Sequence, residues 1–202
     1  MGLRLHDHIT SGNGYKVRLL LTLLGLSFTR VEYDIDRGAT RTPAFLAKNP
    51  NGRIPLLEFA DGRMLWESNA ILLHLAEGTP YLPADRFERA LVNQWLFFEQ
   101  YSHEPNIATL RYWITHRLLD DERRAMVAAK RRSGYAALDV MEGHLAGRRY
   151  FVAERYTIAD IALYAYTHVA AEGEFDLQRY AAIRRWLDRV ASEPGHIPIT
   201  AV

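Results

Sequence analysis

The stretch from Asn49 to Ile71, NPNGRIPLLEFADGRMLWESNAI, constrains this chain more than any other. Pro55 stands where a strand should begin. A proline has no N–H to give to a sheet, so within β structure it is tolerated at a strand's first residue, on an edge or at a bulge. Pro55 to Phe59 and Met64 to Trp66 then face each other across Asp61-Gly62, a strong hairpin turn. Glu67-Ser68 follows at the mouth of a helix that Ser68 is expected to cap and Gly78 to end. A strand that opens on proline, in a hairpin that runs into a helix N-terminus, gathers open backbone, an acid and a hydroxyl. That combination suits a short extended peptide carrying a free amine and a carboxylate.

The preceding residues complete an α/β unit. Leu3 to His6 reads as a short strand. Tyr15 to Gly25 reads as a helix, with Val17, Leu20, Leu21 and Leu24 at helical spacing and Gly25 as its stop. Phe28 to Ile35 alternates as a second strand. Thr42-Pro43 is a cap followed by proline at the first helical position, opening a short helix to Lys48. The order βαβ-α-ββα over residues 1–78 is that of a thioredoxin-like unit. Pro80 and Pro83 mark 79–85 as a linker. From 86 to 202 the pattern is helical, with apolar stripes at Phe87, Leu91, Trp95 and Phe98, at Leu138, Met141 and Leu145, and at Ile183, Trp186, Leu187 and Val190. Thr157-Ile158-Ala159-Asp160 has the form of a capping box, with Asp in place of Glu or Gln. The helix it opens, through Ile161, Ala165 and Val169, is almost wholly apolar and belongs at the centre of an all-α domain. The expected fold class is therefore α/β followed by all-α.

Composition excludes several kinds of chemistry. The chain has no cysteine, so disulfides, thiolate metal sites and a protein thiol nucleophile are out. Any thiol chemistry must take its sulfur from a cosubstrate. A net charge of +1 gives no electrostatic pull toward nucleic acid. No apolar run approaches the roughly 20 residues of a membrane span, and Leu3 to His8 is too polar for a signal-peptide core; a soluble cytoplasmic protein is expected. His6 and His8 share a strand face without a third ligand, and His103-Glu104 begins a zinc-protease motif without its second histidine, so no metal is expected. Lys130-Arg131-Arg132 reads as a solvated helix face. Ser11-Gly12-Asn13-Gly14 lacks the length and the lysine of a phosphate loop.

A thioredoxin-like unit, a proline linker and an all-α domain, carrying NPNGRIP, ESNAI and TIAD in that order, resemble the cytosolic glutathione transferases over essentially the whole chain. Ser11-Gly12-Asn13-Gly14-Tyr15-Lys16-Val17 is similar to the opening of bacterial nu-class-like members. The resemblance implies glutathione as cosubstrate and a cis bond before Pro55, which turns the Ile54 N–H and C=O toward the cysteinyl backbone. It implies Glu67 on the γ-glutamyl ammonium and Ser68 on the γ-glutamyl carboxylate, helped by the helix N-terminus. Arg53 is the first choice for the glycyl carboxylate, with Lys48 and Arg41 behind it. Ser11 and Asn13, on the loop before the first helix, would donate to the sulfur and favour the thiolate; Thr10 and Tyr15 compete for that role, although Tyr15 is expected to pack against the helical domain. A pocket for a small apolar electrophile is expected between the domains, with Tyr15, His103, Asn106, Leu110, Arg111, Tyr112 and Trp113 as candidates. The resemblance also implies a two-fold homodimer. Glutathione-dependent reduction of a disulfide, and non-catalytic binding of glutathione or another ligand, stand as alternatives to conjugation.

Overall fold

The computed structural model describes residues 2–201. The chain forms two compact units, Met1–Glu77 with Pro194–Val202, and Gly78–Glu193.

In the first unit, strands β1 (Leu3–Asp7), β2 (Phe28–Glu32), β3 (Leu56–Glu58) and β4 (Met64–Trp66) form one sheet in the order β2-β1-β3-β4. β1 and β2 are parallel, joined by helix α1 (Gly12–Leu23), because parallel neighbours need a crossover. β3 runs antiparallel to both β1 and β4, with Leu57 opposite Leu5 on one side and Leu65 on the other. Period-2 alternation puts Leu5 and Leu57 into one core with Val17 and Leu21 of α1 and Ile71 of helix α3 (Ser68–Ala76). α1 ends as its sequence predicts. Gly25 takes φ 65°, and the Leu26 N–H returns 2.9 Å to the Leu21 carbonyl, the closure a left-handed glycine permits. Thr42 caps the short helix α2 (Pro43–Leu46) through a 3.3 Å bond from the Phe45 N–H.

The C-terminal residues depart from expectation. They belong with the sheet unit, not with the helices. The Arg18 guanidinium, on α1, donates 2.8 Å bonds to the carbonyls of Ile199 and Ala201 and a 2.6 Å bond to that of Ile9. Its Nε lies 2.9 Å from Asp7 Oδ2 inside the unit. Tyr15 is fully buried and donates its hydroxyl to the Ile197 carbonyl at 2.7 Å. The tail supplies carbonyls and α1 supplies donors. Tyr15 therefore packs on this tail within its own unit.

The second unit contains α4 (Arg86–Phe98), α5 (Glu104–Thr115), α6 (Asp121–Leu145), α7 (Ile158–Thr167) and α8 (Ala181–Ala191). Pro105 does not break the helix that holds it. A π-helical turn over Glu99–His103 widens the chain just before it, which accommodates a ring that would otherwise clash with the preceding turn. All ten residues of α7 are buried, so the most apolar helix is the central one. Residues 79–85 are no free spacer: Leu82 and Pro83 are buried, and the Tyr81 carbonyl accepts from the Ile158 N–H at 3.0 Å. Phe87 is also unlike its expected role. It is 71% exposed; of the expected stripe α4 buries Trp95, together with Val92 and Leu96.

Candidate functional site

Three segments of the sheet unit converge at one end of β3. The first is the turn Asn49-Pro50-Asn51-Gly52. Asn49 is buried, accepts from the Asn51 N–H at 3.0 Å and donates to the Arg53 carbonyl at 2.8 Å. Gly52 is needed for its backbone, whose φ is 62°, a conformation glycine adopts without strain. The turn delivers the chain to Ile54-Pro55, whose peptide bond is cis. β3 pairs with β4 only from Leu56, opposite Trp66, so Ile54 lies beyond the ladder. Among the described residues its N–H and C=O meet no hydrogen-bond partner.

The second segment is the start of α3, where the structure corrects the expected cap. Ser68 is the first helical residue; Glu67 holds the cap position, and no side chain caps the helix. Glu67 sits at φ 70°, ψ 112°, a backbone that only glycine adopts freely and that costs other residues about 1–3 kcal/mol. Its carboxylate is exposed, with one long contact, 3.4 Å from Asn51 Nδ2. A glutamate thus stands at a position where glycine would be easier. An uncapped helix start presents N–H groups and a partial positive charge to an anion.

The third segment is the start of α1. Ser11 is its N-cap, and its Oγ accepts from the Gly14 N–H at 3.1 Å. That bond does not use the hydroxyl's own proton, so capping and donation to sulfur are compatible. Asn13, expected on the loop, lies within the first helical turn because Ser11 starts the helix earlier. Ser68 joins the second and third segments by donating to Asn13 Oδ1 at 3.1 Å. Gly14 allows this close approach of α1 to β1: a Cβ there would fall 1.6 Å from Asp7 Oδ1. No side chain, cysteine included, fits at position 14 without moving Asp7. Burial pushes the Asp7 carboxyl up despite the neighbouring Arg18.

The basic candidates separate by their partners. Lys48 is paired with Glu58 at 2.9 Å, alongside buried His6, whose Nε2 is 2.8 Å from the same carboxylate. Those two donors hold Glu58 below the usual carboxylate range, and burial pushes His6 down. Arg41 Nη1 donates to the Asn51 carbonyl at 3.0 Å. Arg53 is exposed, and its guanidinium has no ion pair among the described residues.

The candidates from the helical unit are less uniform. His103 is not on a surface. It is fully buried, with Nε2 2.9 Å from Thr167 Oγ1. Arg111 is largely buried and donates to Glu172 at 2.7 Å. Leu110 is core, and Asn106 donates to the Ser102 carbonyl at 2.7 Å. Tyr112 is exposed, its ring 4.2 Å from that of His116. Helical spacing cannot separate core from pocket when both use aromatic and apolar side chains. Reading Asn49, Asn51 and Lys16 as structural parts of the site needs the fold, although the NPNG turn is a visible signal for the first two. Among the described residues no cluster of three His, Asp or Glu side chains could hold a metal ion, and no helix is long and apolar enough to cross a membrane.

Comparison with known proteins identifies this architecture. Residues 1–77 match the family model "Glutathione S-transferase, N-terminal domain", and residues 91–194 match "Glutathione S-transferase, C-terminal domain". A glutathione S-transferase from Pseudomonas fluorescens Pf-5 superimposes with a TM-score of 0.97 at 52% identity, over 100% of both chains. Ure2p in complex with glutathione superimposes with a TM-score of 0.87 at 27% identity, over 96% of each. The URE2 protein of Eremothecium gossypii is 30% identical over 97% of this chain and 67% of its own length. The chain belongs to the glutathione S-transferase family.

Proposed function

We propose that this protein binds glutathione at the junction of β3, α3 and α1 and transfers its sulfur to a small apolar electrophile. The observation that carries the reading is the uncapped start of α3, held in place by a strained Glu67 next to the open backbone of Ile54. In this reading Ile54 pairs with the cysteinyl main chain. The first N–H groups of α3, the Ser68 backbone N–H among them, take the γ-glutamyl carboxylate, while the Ser68 hydroxyl donates to Asn13 Oδ1. Glu67 takes the γ-glutamyl ammonium. Arg53, which among the described residues has no ion pair, takes the glycyl carboxylate. Ser11 and Asn13 donate to the sulfur and favour the thiolate, assisted by the positive end of α1. The thiolate then attacks the electrophilic carbon and displaces its leaving group, or adds to an activated double bond. Orientation and thiolate fraction supply the acceleration.

A second reading, reduction of a disulfide, draws on the paired donors of Ser11-x-Asn13 in a chain without cysteine. One glutathione thiolate attacks a substrate sulfur and releases the other as a thiolate. A second glutathione then attacks the mixed disulfide, leaving oxidised glutathione and the reduced substrate. Parallel assays of aryl-halide conjugation and of disulfide reduction separate the two. Loss of the dominant activity in both Ser11→Ala and Asn13→Ala supports the catalytic reading. Activity unchanged in both variants contradicts it and favours a non-catalytic ligand-binding role.

The protein is further proposed to act in the cytoplasm as a homodimer. Phe87, Phe97 and Tyr101, on α4 and the turn after it, are 71%, 73% and 88% exposed, more aromatic surface than an isolated helix normally leaves in water. A monomer mass by light scattering at micromolar concentration contradicts this.

A further inference from the structure

Lys16 lies one helical turn into α1 with no measurable exposure, although a fully buried lysine is rare. Its Nζ approaches Ser68 Oγ at 3.4 Å and Asn69 Oδ1 at 3.5 Å. An ammonium can only donate. Ser68 Oγ therefore accepts from Lys16, and its single proton goes to its other neighbour, Asn13 Oδ1, 3.1 Å away. The carboxamide of Asn13 has two ends of opposite character, and this contact holds the oxygen end on Ser68.

We propose that Lys16, acting through Ser68, fixes the direction of the Asn13 amide, so that its NH2 end and not its oxygen is presented to the sulfur of the bound thiol. The inference rests on the glutathione reading of the site. Lys16 and Ser68 are positioning residues here, and Asn13 is the residue that touches the sulfur. Without the ammonium, Ser68 can donate elsewhere and accept from Asn13 Nδ2 instead. That reversal turns the amide oxygen toward the sulfur, where it repels a thiolate. The two orientations have almost the same shape, so packing alone cannot choose between them. A buried donor-only group can.

A charge on Lys16 could also favour the thiolate directly through space, and a double-mutant cycle separates the mechanisms. The ultraviolet thiolate absorbance of saturating glutathione is titrated against pH for the wild type, Lys16→Met, Ser68→Ala and the double variant. S-methylglutathione affinity, which involves no ionisable thiol, is measured alongside. Each single variant is expected to raise the bound thiol pKa by about one unit, a tenfold loss of thiolate fraction below the pKa. The double variant is expected to show no further rise, and Lys16→Arg to restore much of the wild-type value. A full Lys16→Met effect persisting in the Ser68→Ala background overturns the relay in favour of through-space charge. So does an unchanged pKa in Ser68→Ala, a variant that keeps the lysine and tests the proposal alone if Lys16→Met does not fold. Failure of the wild type to bind either ligand contradicts the glutathione reading itself. Binding with a normal thiol pKa in the wild type contradicts only the sulfur contact and its relay.

Discussion

Helices α3 and α7 begin in opposite ways. At α7, Thr157 is extended at φ −130°, its Oγ1 accepts from the Ala159 N–H at 3.3 Å, and Asp160 accepts from the Thr157 N–H at 3.0 Å. Asp160 also accepts from the Phe151 N–H at 3.1 Å and the Trp186 indole at 3.0 Å. That start is closed by the chain's own side chains and lies in the core. At α3, Glu67 has a left-handed φ, no side chain caps the helix, and the acid points to solvent. A closed helix start contributes stability. An open one gives stability up and gains the capacity to hold an anion.

The largest expected effect of breaking this contrast is at the closed end. Asp160→Ala orphans several buried donors at once and should destabilise the protein by about 3–5 kcal/mol in denaturant unfolding. Asp160 also carries a pH signature. Burial pushes its pKa up to about 6, against the donors that favour the carboxylate. A raised carboxyl pKa contributes stability that is present below the unfolded value and lost as pH rises through the folded one. Relative to Asp160→Asn, the wild type should therefore lose roughly 3 kcal/mol of stability between about pH 4 and pH 6, and stay level above. A flat difference across that range would show that the folded carboxyl titrates normally.

At the open end the sign reverses. Glu67→Gly relieves a strained backbone and should leave stability unchanged or raise it by up to about 2 kcal/mol, after the entropy cost of glycine. A clear loss of stability would mean that Glu67 is structural. The smallest effect is expected from Thr157→Ala, which removes one cap oxygen and should cost about 1 kcal/mol with no change in ligand affinity.

What is legible in the sequence follows the range of the interactions. The hairpin at Asp61-Gly62, the Thr42-Pro43 start and the Thr157 to Asp160 box are fixed by residues within four positions of each other, and all three form as expected. The thioredoxin-like and helical architecture follows from their order. The start of α3 differs by one residue because cap position is set by backbone dihedrals, and nothing in the letters ESNA announces a left-handed glutamate. The C-terminal tail joins the sheet unit against expectation because Arg18 and Ile199 meet across most of the chain. His103 resembles a pocket residue in sequence because periodicity shows which face a side chain shares, not what covers it. Phe87 resembles a core residue for the same reason.

The most direct test of the central claim is a calorimetric titration of glutathione into the wild type and into Glu67→Gly. One saturable site per chain is predicted, with affinity about tenfold weaker in the variant, or about 1.4 kcal/mol, although the variant is at least as stable. Equal affinity in the two proteins, or no binding heat in the wild type, would contradict the account that the open, strained start of α3 exists to hold this ligand.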